Sequence, residues 1–505
     1  MIDNLSAFFH AIYDEEFGLL PTNASIKPVH IANGLGRALV GRTYDSDALA
    51  QFLRRSILNQ TTRVQVERNP NSMILENYVD AFTSRDSGIL DQDALSRLRS
   101  LAEGVLATDR AVFGEAAMSS YTLSNETLLT RDLSDVRCGA FIAELLNAGT
   151  VGDAATHIRT LLASDDDPWS TLALPMMQFA LPRTFAAGDD PPQHTLLAID
   201  ADGNLASHTL SRLRASFDRL ARFEQGRGSK LNSLRRMVMF SCFVIHVHLV
   251  ARYSETDERA PRPPILIDMF DGSRTSLRNA SRASLRAAGD VLEALISRRI
   301  RERIAKELEA ANIDDIVAAF PEGRKRVRTR VREGFDAYRG AYRNQEDQNS
   351  DLDALSEALW QVGTEDLIHP VEFLTELGRR AGFLTPWTNT GRGGKLQKRY
   401  GITTEFLEAL VAATVEPGQP LDFPEFLDAL RENYGIIVGQ RADDQVVRCN
   451  NLSGIPFGTP TSVAEEDLRL NVEALRRAIL EAGYAKAYAD GQTVITTDPE
   501  SMAVL

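Results

Sequence analysis

Few residues in this chain have types and spacings that could do chemistry. His246-x-His248 would put two imidazoles on one face of a strand, and Cys242 and His246 would share a helix face at i,i+4, both of which are metal-ligand spacings. Neither pair has a third ligand at a usual distance in sequence. All three residues lie in the apolar run Met237–Val250, where a histidine is more often a satisfied core residue. Asp268 and Asp271 could open a set of nuclease carboxylates. A restriction-type core would then need an acidic residue and Glu-x-Lys on the next strand, whereas Gly272-Ser273-Arg274 begins a loop. Asp165, Asp166 and Asp167 could take a cation, but three consecutive carboxylates cannot all point inward, so they read as a solvated loop. No His-Glu-x-x-His, Gly-x-Ser-x-Gly or Cys-x-x-Cys occurs. The expectation is a non-catalytic chain with no cofactor and no metal; the enzymatic alternative needs residues that converge only in three dimensions.

Two stretches have the composition of phosphate-binding loops. Gly226-Arg227-Gly228-Ser229-Lys230 and Gly391-Arg392-Gly393-Gly394-Lys395 are short glycine-basic loops. Both lack the first glycine of a Walker A loop, whose successive backbone N–H groups wrap the phosphates. The second loop runs on into Lys398-Arg399-Tyr400, so Arg392, Lys395, Lys398 and Arg399 are candidates for contact with a phosphate backbone. Upstream, an apolar stripe from Val291 to Leu308 leaves Arg298, Arg301, Arg303 and Lys306 on the other side. A second helix starts near Pro321. Its stripe of Val327, Val331, Phe335, Tyr338 and Tyr342 sets Lys325, Arg332, Arg339 and Arg343 on a neighbouring face, with Arg328 at the edge. These are candidate contacts to nucleic acid or to an acidic partner; the competing reading is a solvated face paired with acids from the flanks.

Charge is distributed to match. The net charge of −14 divides into −10 over residues 1–190, +7 over 191–350 and −11 over 351–505. A chain of 505 residues accommodates several domains. A helical N-terminal domain is expected over 1–185, with apolar stripes at Leu5–Tyr13, Asp47–Leu58, Asp91–Leu106 and Ser134–Ala148. Prolines 168, 175, 182, 191 and 192 mark its end. A basic α+β middle domain follows over 193–343, with strands at Thr195–Ile199 and Leu205–Leu210, a helix near Leu210–Phe223, and the buried strand Pro263–Phe270 feeding the basic helices. The polar run Asn344–Ser350 is a linker to a helical domain over 351–505. The N-terminus has no basic n-region and Met237–Val250 is short and interrupted by Ser241, His246 and His248, so neither a secretory signal nor a membrane span is expected. Three scattered cysteines fit a reducing cytoplasm.

The last hundred residues carry the clearest local signals. Asp422-x-x-Glu425 with Pro424 is a capping box for a helix ending at Gly435. Ile436–Val438 and Gln445–Arg448 read as a hairpin around Arg441–Asp444. Ser462-x-x-Glu465 starts a helix that buries Leu468, Val472, Leu475 and Ile479 and ends at Gly483, and Ala485–Thr497 forms a hairpin with a type I′ turn at Asp490-Gly491. A helix followed by a tight hairpin is the closing half of a winged-helix-like unit. Its helix carries Arg469, Arg476 and Arg477 against five acids, a balance that suits docking a protein better than phosphate. The fold class expected is mainly α and multidomain.

Residues 384–439 resemble a known group. The carrying residues are Leu384-Thr385-Pro386-Trp387, Gly391-Arg392, Lys398-Arg399-Tyr400-Gly401-Ile402, Phe406–Val411, Glu416-Pro417-Gly418, Phe426-Leu427 and Tyr434–Gly439. They are similar to segments of accessory proteins of bacterial phage-defence clusters, including subunits of DNA phosphorothioation-dependent restriction systems. The resemblance implies a cytoplasmic component working with a partner ATPase or nuclease, and assigns no residue a role. The functional expectation is a subunit of a DNA-linked system, with DNA as a further partner. The rival is a scaffold or regulator without nucleic-acid contact.

Overall fold

The computed structural model describes residues 5–21, 26–39, 133–149, 152–163, 197, 205–227, 230–257, 262–310, 312–318, 325–342, 350–366, 368–386, 397–439 and 463–498. Several expected features lie outside these: the stripes at 47–58 and 91–106, Asp165–Asp167, the hairpin turn at 441–444, the glycine-basic loop at 391–395, Arg343 and Ser462.

The described chain is mostly helical with a few short strands. In order it forms α1 (Leu5–Phe17), α2 (Pro28–Leu39), α3 (Leu133–Asn147), α4 (Asp153–Ala163), α5 (His208–Glu224), α6 (Lys230–Thr256), β1 (Ile265–Leu266), α7 (Thr275–Ala310), α8 (Ile313–Ala318), α9 (Lys325–Tyr342), α10 (Ser350–Asp366), α11 (Pro370–Ala381), β2 (Leu384–Thr385), β3 (Arg399–Tyr400), α12 (Thr404–Thr414), β4 (Leu421–Asp422), α13 (Phe423–Tyr434), β5 (Ile436–Ile437), α14 (Glu465–Glu481), β6 (Ala485–Ala487) and β7 (Thr493–Ile495).

Helix α6 is apolar on every side, so it belongs in the middle of other helices. Met237, Phe240, Cys242, Phe243, Ile245, Val247 and Val250 are all buried on it, as are Ser241, His246 and His248. It packs against α2, α5, α7, α11 and α12. Phe243 meets Phe383, Phe406 and Tyr434 edge-on at 5.2, 5.1 and 5.6 Å between ring centroids, joining α6 to the α11–β2 turn, α12 and α13. Residues Asn232–Thr256 are long and apolar enough to cross a membrane, but 89% of the qualifying window is buried among these neighbours, the situation of a core helix. One contiguous apolar cluster runs from Leu5 to Ile495 and draws on all three expected segments.

The segment entering α7 is where distant parts of the chain meet. β1 pairs in parallel with β5, Ile265 opposite Ile436 and Leu266 opposite Ile437. Beyond the strand, the Asp268 N–H donates to Tyr400 O at 3.0 Å, which brings in the antiparallel β2–β3 pair. Ser284 on α7 accepts from Leu266 N at 3.1 Å and donates to Pro264 O. Ser281 accepts from Tyr400 N at 3.0 Å. Asn471 on α14 is fully buried; its amide donates to Ile267 O at 2.8 Å and Val438 O at 2.6 Å, and its oxygen accepts from Met269 N at 2.9 Å.

The C-terminal elements follow helix α12, strand β4, helix α13, helix α14, then the β6–β7 hairpin, with sheet order β4-β7-β6, all antiparallel. The expected box at Asp422 and Glu425 is present, and α13 ends at Gly435 in a left-handed conformation (φ 75°). Helix α14 starts at Glu465 behind Ala464, later than the Ser462 signal suggests. The hairpin turn is also not type I′: only Gly491 has positive φ (88°), and its N–H donates to Tyr488 O at 3.0 Å, the pattern of a type I turn closed by a bulge glycine. The expected strand at 205–210 is displaced by α5, because Ser207 caps it by accepting from Leu210 N at 3.1 Å.

Replacing Asn471 with Leu leaves two buried carbonyls and one half-buried amide without that partner. The expected loss is about 2–4 kcal/mol of folding free energy, measured as a lower denaturant midpoint; an unchanged midpoint would refute this role for Asn471.

Candidate interaction site

The loop Asp268–Ser273 joins β1 to α7 and is held by one carboxylate. Asp268 is enclosed, and it accepts from Phe270 N at 2.9 Å, from Gly272 N at 2.8 Å and from Arg399 Nε at 2.8 Å. The other side of the same guanidinium donates to Asp271 Oδ1 at 2.7 Å, an oxygen that also accepts from Thr385 Oγ1 at 3.1 Å. Gly272 has φ 80°, and a Cβ there would stand 2.8 Å from Arg399 Nη2, so only glycine lets the loop close on the arginine. Arg399 thus clasps β3 to the loop. The buried Asp268 half of the clasp dominates, because Asp271 faces solvent, where an ion pair contributes little.

This arrangement changes the reading of two candidate contacts. Arg399 is buried, with Nε and Nη2 donating to Asp268 and Asp271, which makes it an internal tie rather than an exposed phosphate contact. Lys398 is buried as well and donates to Pro386 O at 2.8 Å; burial, with the Arg379 charge nearby, pushes its pKa down to about 8. The aromatic beside them, Tyr400, is turned inward onto His246. Arg392 and Lys395, in the adjoining loop, lie outside the described residues, as does Arg343; Lys325 and Arg328 are placed on α9 by backbone only.

The remaining two candidates on α9 face acids from neighbouring helices. Arg332 pairs with Asp314 on α8 and with Asp336 at 3.5 Å, and Arg339 pairs with Asp351 on α10 at 2.8 Å. Arg301 on α7 meets Asp353 at 2.7 Å, and Arg303 meets Glu15 at 3.0 Å. Arg299, Arg303 and Lys306 line a groove of about 470 Å³ between α1, α6 and α7 whose opposite charges come from Glu15, Glu16, Glu302 and Glu307. These faces are solvated ion-pair networks.

The histidines resolve as core residues. His246 Nε2 lies 2.9 Å from Tyr400 OH, and His248 Nε2 donates to Phe17 O at 2.9 Å while its ring stacks on Phe141. Burial lowers His246 to about 3 and His248 to about 4, and raises the Cys242 thiol. Among the described residues no group of three His, Cys, Asp or Glu side chains is placed to hold a metal.

One cationic feature was not singled out from sequence. Arg274, just before α7, and Arg278, Arg282 and Arg286 within it follow one another at steps of four. The signal was legible as an i,i+4 series, but the serines and alanines around it form no apolar stripe to draw attention to a helix face. No family model matches the chain, and neither does any curated protein or solved structure.

Arg399→Met strands the Asp268 carboxylate in the interior and is expected to cost about 3–5 kcal/mol, read by denaturant unfolding; a loss confined to ligand binding with stability intact would contradict the clasp. The buried imidazoles give a pH dependence of defined sign. Unfolded histidine binds its proton near pH 6.5, and these two resist it in the fold, so their contribution is complete above about pH 6.5 and is lost as pH falls toward 4 and below. The stability of wild type relative to His246→Gln should therefore decline between about pH 6.5 and 4, and a constant difference across that range would show that His246 is not held neutral.

Proposed function

We propose that this chain is a non-catalytic interaction subunit of a bacterial DNA-linked multiprotein system, antiviral defence by the resemblance of residues 384–439, and that its C-terminal unit docks a partner ATPase or nuclease. The observation that carries the docking reading is the order α12–β4–α13–α14–β6–β7 with sheet order β4-β7-β6. A winged helix has this succession of helix, short strand, two helices and hairpin, with the first strand pairing onto the last. The departure is a long connection between α13 and α14, part of which, β5, pairs with β1 instead.

Helix α14 takes the place of a recognition helix, and its chemistry favours protein over phosphate. Its first turn holds Glu465, Glu466 and Asp467. The residues that would meet base edges are therefore anionic, and they repel a backbone of phosphates. Arg469 is tied to Glu466 at 2.8 Å and Arg476 to Glu473 at 2.7 Å. A mixed, exposed face of this kind suits a polar protein interface, where charge sets specificity and association rate.

A scaffold without nucleic-acid contact is the second reading, favoured at α9 by the pairing of Arg332 and Arg339 with acids. The test is co-expression with the products of neighbouring genes, followed by hydrogen exchange on the purified complex. Protection over residues 465–495, with at least about tenfold weaker association for Arg469→Glu/Arg477→Glu, supports docking through α14. A stable complex that leaves exchange in this region unchanged would place the interface elsewhere.

A further inference from the structure

We infer that the N-terminal half of α7 is a contact surface for a nucleic-acid phosphodiester backbone, centred on Arg278, Arg282 and Arg286. The inference rests on the DNA-linked reading above and assigns it a location. Four residues along a helix advance the position by 40° and rise by about 6 Å, so the series from Arg274 to Arg286 makes a gently curving stripe about 18 Å long. The buried side of the same turns is Leu277, Ala280, Ser281, Ser284 and Ala287, which turns the stripe away from the core.

The partners of these arginines distinguish this face from the other basic faces. Arg274, at the edge, is held by Asp467 at 2.9 Å and lies over the Phe270 ring. Arg278 makes one long bond, 3.3 Å to Gly272 O, and its Nε–H is buried without a hydrogen-bond partner. Arg282, half-exposed, makes no ion pair or hydrogen bond among the described residues. Arg286 is exposed; its charge acts on Asp290, one turn on, whose carboxyl is pushed up by burial. Arg301, Arg332 and Arg339 each have a carboxylate from another helix across from them; the centre of this stripe has none among the described residues.

The chemistry selects phosphate over an acidic peptide. All the cations are arginine, whose planar fork pairs with two oxygens of one phosphate. The side chains between them, Thr275, Asn279 and Ala283, are small, so a backbone can approach closely. A peptide-docking face would need an exposed apolar or aromatic anchor at its centre, and these positions offer none.

The test is fluorescence anisotropy of full-length protein with labelled duplex DNA, single-stranded DNA and duplex RNA, across about 50–200 mM salt. The inference expects binding to at least one of these. Arg282→Glu/Arg286→Glu should weaken it by about tenfold or more, and Arg282→Gln/Arg286→Gln should reduce the salt slope by about two. Arg332→Glu/Arg339→Glu should retain near wild-type affinity, and unchanged thermal midpoints check that the stripe variants fold. Which probe binds best identifies the natural backbone. If wild type binds and the stripe variants bind equally well, the inference fails while the DNA-linked reading stands. If wild type binds none of the three at low salt, the inference falls, while the docking reading is decided by hydrogen exchange on the complex. Stripe-dependent binding of polyglutamate with no binding of nucleic acid overturns the choice of phosphate.

Discussion

A carboxylate sealed from water must be surrounded by donors, and the Asp268 carboxylate sets the terms for the rest of this fold. Its three donors come from its own loop and from Arg399. The strand before it has the same requirement for its backbone groups, met by β5, Tyr400, Ser284 and Asn471. These demands fix four things together: where α7 starts, how α14 lies against it, the register of β1 on β5 and the position of β3. An apolar substitute could fill the volume but would leave the ends of two strands and a helix-entry loop unsatisfied.

The alternation of charge along the sequence becomes intelligible on the same scale. The basic middle does not stand apart from its acidic flanks. Arg299 and Arg303 take Glu16 and Glu15 from α1, Arg301 and Arg339 take Asp353 and Asp351 from α10, and Arg222 takes Glu416 and Asp153 from either side. Exposed pairs of this kind add little stability singly. Among the described residues, Arg278, Arg282 and Arg286 on α7 have no such carboxylate from another helix.

What was legible in the sequence follows from how local each determinant is. The α13 box at Asp422 and Glu425, its stop at Gly435 and the stripe Leu468, Val472, Leu475 and Ile479 are all written within a few residues; they appear as expected except that Val472 is half-buried. The face carrying Arg332 and Arg339 was readable as a face, but Asp314 and Asp351 could not be assigned to it without the helix packing. Lys398 and Arg399 looked like a surface cluster because their partners, Pro386, Asp268 and Asp271, involve a β-pairing that local pattern does not encode. Leu205–Leu210 read as a strand because one serine decides otherwise: Ser207 satisfies an amide at the start of α5 and tips the following residues into helix.

The distance in sequence between Ile267 and Asn471 carries a consequence in time. Their hydrogen bond spans 204 positions. A ribosome adding residues at about 5–20 per second needs roughly 10–40 s to travel that far. Until β5 is made, late in that interval, Ile265, Leu266 and Ile267 have been synthesised without their strand partner and present an open strand edge. The nascent chain is therefore most vulnerable to misassociation between the emergence of its first strand and that of its last long helix. During that window the segment that later becomes the centre of the molecule is at its most accessible.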